Sequence, residues 1–170
     1  YQQLGCRRRP YTRGSRNVMR TAIFPGSFDP YTRGHDSIAR RGLKLFDRII
    51  IGVGINENKK GIVSIEKRIE ALKKLYHNEP RIAVEAYSDL TVDFAKRKEA
   101  DFILRGVRSH KDFEYELAIA DVNKRLSGIE TVILFTEPDL ACVSSTIVRE
   151  LMHFGRDITE FLPEGFSIEE

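Results

Sequence analysis

Pro25-Gly26-Ser27-Phe28-Asp29-Pro30-Tyr31-Thr32-Arg33-Gly34-His35 lies between a short apolar run, Thr21-Ala22-Ile23-Phe24, and a segment of helical period. A turn-rich stretch in that position sits at the carboxyl end of a first strand, where open α/β sheets bind their ligands. Gly26 lets the backbone approach a phosphate closely, and Ser27 offers a hydroxyl. Gly34 and His35 fall at the mouth of the next helix, where free amide N–H groups favour anions. A bare Gly-His is also what an ordinary strand-to-helix connection with a capping histidine looks like. The whole run points instead to handling of a nucleotide's phosphates.

Working outward, strand-type apolar runs recur at Thr21–Phe24, Arg48–Gly54, Ile82–Tyr87, Phe102–Gly106 and Glu130–Thr136. Segments of helical period fall between them. Over Asp36–Phe46, Ile38, Ala39, Gly42, Leu43 and Phe46 share one face. Ser64 is placed to cap a helix running to Tyr76, with Ile65, Ile69, Leu72 and Leu75 facing inward. Further helices are predicted over Leu90–Lys98, His110–Leu126 and Ser144–Phe154, and the tail beyond Asp157 reads as a short terminal cover. Strands alternating with helices imply right-handed crossovers and an open parallel five-stranded sheet with helices on both faces. The fold class is α/β, in a single domain.

With 170 residues the chain is long enough for one well-cored domain, and no segment is long and apolar enough to span a bilayer. Cys6 and Cys142 offer neither a disulfide framework nor a metal cluster, so a reducing cytoplasm is the expected setting. The net charge of +3 misleads, because residues 1–18 hold five arginines (Arg7, Arg8, Arg9, Arg13 and Arg16) and no acid. Without them 23 basic residues face 25 acidic ones, a net of −2. Residues 1–18 read as a leader, vector-derived or disordered, and 19–170 as the domain. A basic arm for nucleic acid is the alternative for the leader, but the body has no matching basic excess.

The remaining polar clusters all follow predicted strands and so converge on one edge of the sheet. After the second strand comes Asn56-Glu57-Asn58-Lys59-Lys60-Gly61, either a solvated turn or a loop that brings positive charge to phosphate. After the fourth comes Arg105-Gly106-Val107-Arg108. Arg105 closes an apolar strand, a costly place for a guanidinium without an anionic partner. That partner is a phosphate or a carboxylate in a structural ion pair, and the segment alone leaves both open. After the fifth, Ser144-Ser145-Thr146 opens a helix and suits a phosphate as well as a cap. Walker-type, dinucleotide-binding and hydrolase-elbow motifs are absent, and His35, His77, His110 and His153 lack zinc spacing. Cations, a histidine and hydroxyls without a nucleophile fit chemistry done by positioning and charge stabilisation, such as phosphoryl or nucleotidyl transfer.

Together these blocks resemble the HxGH nucleotidyltransferase superfamily and, within it, the bacterial phosphopantetheine adenylyltransferases. The resemblance runs from Met19 to Pro163. It is carried by Pro25–His35, by Arg105–Arg108 with Asp112-Phe113-Glu114-Tyr115-Glu116, and by Ser144–Thr146 with Val148-Arg149-Glu150. Thr146 and Arg149 stand where serine and lysine are more usual, and Leu140 and Cys142 replace residues often aromatic. The resemblance implies a Rossmann-like fold, Mg2+, and a homohexamer built as a dimer of trimers. It implies adenylyl transfer from ATP to 4′-phosphopantetheine, giving dephospho-coenzyme A and pyrophosphate. By position, His35, Lys59 and Arg108 would be catalytic, and Ser27, Lys59, Thr91 and Arg105 would hold the acceptor. Ser27, Phe28, His35, Gly106, Val107, Arg108 and Glu116 would bind ATP, with Leu140, Ala141, Cys142, Val143, Ser144, Ser145 and Thr146. The rival reading is another HxGH transferase with a different phosphate acceptor.

Overall fold

The computed structural model describes residues 18–168 other than Glu57 and Lys59. Nearly all of the expected leader, and Lys59, therefore lie outside the described residues. In chain order the elements are β1 (Thr21–Gly26), α1 (Arg33–Gly42), β2 (Arg48–Gly54), α2 (Ile65–Leu75) and β3 (Ile82–Tyr87). There follow α3 (Thr91–Arg97), β4 (Phe102–Val107), α4 (His110–Ser127), β5 (Glu130–Phe135) and α5 (Ser145–His153), with short 3₁₀ turns at Pro138–Leu140 and Thr159–Phe161.

All neighbouring strands are parallel, in the order β3-β2-β1-β4-β5. The chain builds outward from β1 to β3, then crosses back to set β4 on the free side of β1. That reversal is the topological switch point, where a crevice opens at the strands' carboxyl ends. The register widens it. β1 pairs with β2 along its whole length, Thr21 to Gly26, but with β4 only at Ala22–Phe102 and Ile23–Ile103. Beyond Ile23 the two central strands part.

β2 is apolar at consecutive positions because both faces of the sheet are covered: Ile49, Ile50 and Ile51 are 0% exposed. Each such side chain contributes roughly 1.5–3 kcal/mol of burial. On one face Phe24, Ile51 and Leu104 pack with Ile38 and Ala39 of α1, Leu72 of α2 and Val148 of α5. On the other, Ile23, Ile50 and Ile103 pack with Val92, Phe94 and Ala95 of α3. The predicted α2 face holds, since Leu72 is buried and Ile65, Ile69 and Leu75 pack partly buried beside it. The tail is indeed a cover, with Ile158, Leu162 and Phe166 closing the first face.

Two boundaries differ from expectation in ways that matter. α1 starts at Arg33, not Asp36, because Thr32 rather than a later residue caps it, and it stops at Gly42. His35 therefore stands inside the first turn. β4 continues to Val107, so Arg105 lies within the strand instead of closing it. α4 is also unusual: Tyr115, Ile119, Val122 and Leu126 form a stripe at helical spacing, yet they are 63%, 36%, 54% and 60% exposed. Among the described residues, no helix is long and apolar enough to cross a membrane.

Candidate active site

The crevice holds two lobes of about 410 and 380 Å³. The first is the more apolar and runs from the end of β1 past Gly54, Tyr87 and Thr91 to Ile103, Ile119 and Asn123. The second is lined by Phe28, His35, Gly106 and Arg108 with Val143, Ser144, Ser145, Thr146 and Arg149. Gly26, Ser27, Arg105, Tyr115 and Glu116 belong to both and form the partition between them.

Arg105 makes that partition. Its guanidinium forms a two-pronged pair with Glu116, 2.9 Å through Nε and 2.6 Å through Nη2, and its Nη1 donates to the Pro25 carbonyl. That carbonyl lies where β1 and β4 have separated, so the side chain bridges the gap left by the missing ladder bond. Both readings of Arg105 therefore meet here: the carboxylate partner exists, and the guanidinium still faces the cleft. Glu116 is 5% exposed and is committed to this pair. Arg108 touches the second lobe only. Its Nε donates to Asp112 at 3.1 Å and its Nη1 to the Val143 carbonyl at 3.4 Å.

His35 is third in α1 and closes a reciprocal cap. Its backbone N–H donates to Thr32 Oγ1 at 3.4 Å, while the Thr32 N–H donates to His35 Nδ1 at 3.0 Å. An Nδ1 that accepts a backbone proton carries a lone pair, which places the neutral ring's proton on Nε2. Burial first, then the charges of Arg105 and Arg108, lower its pKa from 6.5 to about 3. Near neutral pH His35 is thus an uncharged imidazole with a single, directed N–H.

Around it, the phosphate-loop candidate is gripped through its carbonyls. Arg68, 6% exposed, donates to the Ser27 carbonyl at 2.6 Å and to the Val63 carbonyl at 2.9 Å. Arg149 donates to the Asp29 carbonyl at 2.9 Å, and Ser145 Oγ to the Pro30 carbonyl at 2.8 Å. The Asp29 carboxylate accepts from Ile62 and Val63 N–H at 3.0 and 2.9 Å, tying the loop to the segment after β2. Gly26 has a further reason to be glycine: a Cβ there would meet the Phe28 ring at 2.9 Å. Phe28 itself is buried with a left-handed φ of 47°.

The hydroxyls at α5 are less free than their sequence suggests. Ser144 caps the helix, accepting from the Ile147 N–H at 3.2 Å, and Thr146 accepts from Arg149 at 3.1 Å. With Ser145 spent on Pro30, what the helix start offers an anion is mainly its first amide N–H groups, which have no acceptor within the helix. Thr91 lines the first lobe as expected, its hydroxyl 3.0 Å from that of Tyr87. Val107 is buried, and neither it nor Leu140, Ala141 and Cys142 lines a lobe, whereas Val143 does. The sequence does not single out Arg68, and Arg149 and Asp29 enter only as members of motif blocks, with no site role. An arginine on the apolar face of α2 was the available signal for the first, and the spacing of Arg149 from Thr146 for the second.

Comparison with known proteins places this geometry. Residues 23–151 match the cytidylyltransferase-like family, which spans both halves of the cleft. The chain is 58% identical over 151 residues to the phosphopantetheine adenylyltransferase of Phocaeicola vulgatus, covering 89% of this chain and 100% of that one. It is 59% identical over 150 residues to that of Bacteroides thetaiotaomicron, covering 88% and 99%, and 50% identical over 148 residues to that of Porphyromonas gingivalis, covering 87% and 97%. The chain belongs to the phosphopantetheine adenylyltransferase family. In fold it is similar to a bifunctional NMN adenylyltransferase/ADP ribose pyrophosphatase from Francisella tularensis, with a TM-score of 0.64 at 14% identity. That likeness covers 85% of this chain but 45% of the other, so the chain spans less than half of that protein's length.

Proposed function

We propose that the two lobes are donor and acceptor sites for adenylyl transfer from ATP to 4′-phosphopantetheine, yielding dephospho-coenzyme A and pyrophosphate, the penultimate step of coenzyme A biosynthesis. The observation that carries the assignment is the partition. A more apolar lobe for a pantetheine arm meets a cationic lobe for a triphosphate at Ser27 and Arg105, the point where the two phosphates must come together.

An acceptor phosphate oxygen attacks the α-phosphorus in line. A P–O bond forms there as the bond to the departing pyrophosphate breaks. The acceptor phosphate is already a competent nucleophile near neutral pH, so no base is required, and the difficulty is bringing two anions together. Ser27, Thr91 and Arg105 hold the acceptor, with Lys59 from the loop after β2. The Nε2–H of His35 hydrogen-bonds to an α-phosphate oxygen as charge grows on it, the proton staying on the ring. With its pKa lowered to about 3 the ring holds only this one proton near neutral pH, so it acts as a neutral hydrogen-bond donor. Arg108, Arg149 and the start of α5 receive the pyrophosphate. Phe28, Gly106 and Val143 shape the walls on which the nucleotide rests.

Mg2+, when bound with ATP, would supply charge neutralisation to the triphosphate. The residues at the second lobe are cations and hydroxyls, and its carboxylates, Asp112 and Glu116, are engaged by Arg108 and Arg105. They do not make a protein-held magnesium site. Among the described residues no cluster of histidine, cysteine and carboxylate ligands occurs. The exposed apolar stripe of α4 is a face that another copy of the chain can cover, which supports self-association; the homohexamer is what the family resemblance implies. A reducing cytoplasm suits the chain's two cysteines. The decisive assay is pyrophosphate release from ATP with and without 4′-phosphopantetheine. Release that requires this acceptor, and not nicotinamide mononucleotide, is the expected result; acceptor-independent release would overturn the assignment.

A further inference from the structure

Behind the cleft lies a buried polar chain that contributes no atom to either lobe. Tyr31 is 0% exposed and Tyr76, at the end of α2, is 4% exposed. Their hydroxyls are 2.7 Å apart, and that of Tyr76 donates to Asp36 Oδ1 at 2.5 Å. A phenol has one proton to give, so Tyr76 spends its own on the carboxylate and Tyr31 must donate to Tyr76. Arg40 completes the chain, its Nε 2.9 Å from each Asp36 oxygen and its guanidinium 5.2 Å from the centre of the Tyr76 ring. Burial raises the pKa of both phenols above the ordinary value, so both keep their protons at accessible pH.

What this chain encloses is the segment that carries the site. Tyr31 and Asp36 flank Thr32–His35, and both are tied to one atom, the Tyr76 hydroxyl oxygen. The Tyr31 ring also lies 5.3 Å from the His35 ring, tilted by 31°, with Phe28 at 5.0 Å on another side. Hydrophobic packing alone would have been met by phenylalanine at both positions. Two buried hydroxyls are expensive to bury unless paired, and here both are paired, the chain ending on the partly exposed Asp36 carboxylate. We propose that Tyr76 is a positioning residue for the transfer reaction, its hydroxyl fixing the capped Thr32–His35 segment so that the imidazole N–H keeps its aim. The proposal rests on the reading of His35 as the donor to the α-phosphate.

Tyr76→Phe tests it while preserving the ring. The expected result is a fall in kcat of about 10-fold, short of the ~10²-fold that a 1 Å misplacement costs. KM for ATP and acceptor should stay within about twofold of the parent's, as expected when a group acts only in the transition state. The ¹⁵N resonances of the His35 ring should move toward a mixture of tautomers. In a His35→Ala background the same substitution should add no further loss, because the effect travels through His35. Unchanged kcat and ring resonances in folded Tyr76→Phe, with only a lower Tm, would make the chain purely structural and overturn the proposal; so would an equal further loss in the His35→Ala background. If Tyr76→Phe does not fold, Tyr31→Phe breaks the other arm and must lower kcat in the same direction, or the proposal fails. Near-normal turnover of His35→Ala alone would instead refute the role given to His35, a separate outcome of the same set.

Discussion

Replacing His35 by alanine removes one directed N–H from the place where charge grows, and its two effects separate. Loss of a single donor of this kind costs about 10²–10³-fold in kcat, or about 2.7–4 kcal/mol, while ATP affinity should fall far less. The fold should survive, because Thr32 still caps α1 through the backbone N–H of residue 35, and half of a reciprocal cap costs about 1 kcal/mol or less. The second effect is on stability against pH. The folded pKa of about 3 lies below the unfolded value of 6.5, so the unfolded chain binds more protons between those limits and stability rises with pH across the window. It is fully present above pH 6.5 and lost as pH falls toward 3, by at most about 5 kcal/mol and less in practice, because the ring is only half-buried. His35→Ala should lack this share of the acid sensitivity. The assays are steady-state pyrophosphate release at saturating substrates and urea unfolding at pH 7.5 and 5. Near-normal kcat in a folded variant would return His35 to the role of a helix cap. An acid sensitivity identical to the parent's would refute the depressed pKa.

Three further outcomes follow from the geometry. Arg105→Ala should raise KM for 4′-phosphopantetheine more than for ATP, and Arg108→Ala the reverse, each costing roughly 1.5–3 kcal/mol in kcat/KM; lysine should rescue only part, since the fork is lost, and identical effects on both substrates would defeat the division. Val122→Glu on the exposed stripe of α4 should shift the proposed homohexamer to smaller species in sedimentation velocity, whereas an unchanged sedimentation coefficient would show that the stripe holds no subunit contact. Deleting residues 1–18 should leave kcat and Tm unchanged, and a large fall in activity would show the leader to be functional.

The site is built from pieces that differ in how local they are. The alternation of apolar runs with helical periods determined the α/β class, and the turn-rich block Pro25–His35 marked the working edge of the sheet. Ser64 and Ser144 announced their helices, because capping depends on neighbours three residues away. In the same way, the Arg105–Arg108 and Ser144–Thr146 blocks were legible as anion-binding candidates, since residue type and strand position are properties of the chain itself.

What the sequence left open are quantities that belong to pairs of distant residues. Whether Arg105 meets a phosphate or a carboxylate depends on α4 folding back to present Glu116, and its place in the partition depends on β1 and β4 separating after Ile23. The charge state of His35 is set by burial, by Arg105 of β4 and by Arg108 just after it, which no local pattern encodes. The hydroxyl cluster reads as a phosphate seat until the fold brings the Pro30 carbonyl within reach of Ser145, while Thr146 is taken locally by Arg149, three positions on. Nothing in the sequence links Tyr31 and Tyr76, forty-five positions apart, until the fold brings the stretch just before α1 against the residue after α2. Sequence period encodes which face is buried; only tertiary packing decides which polar atoms share that interior, and so which of them must pair and which stay free to act on a substrate.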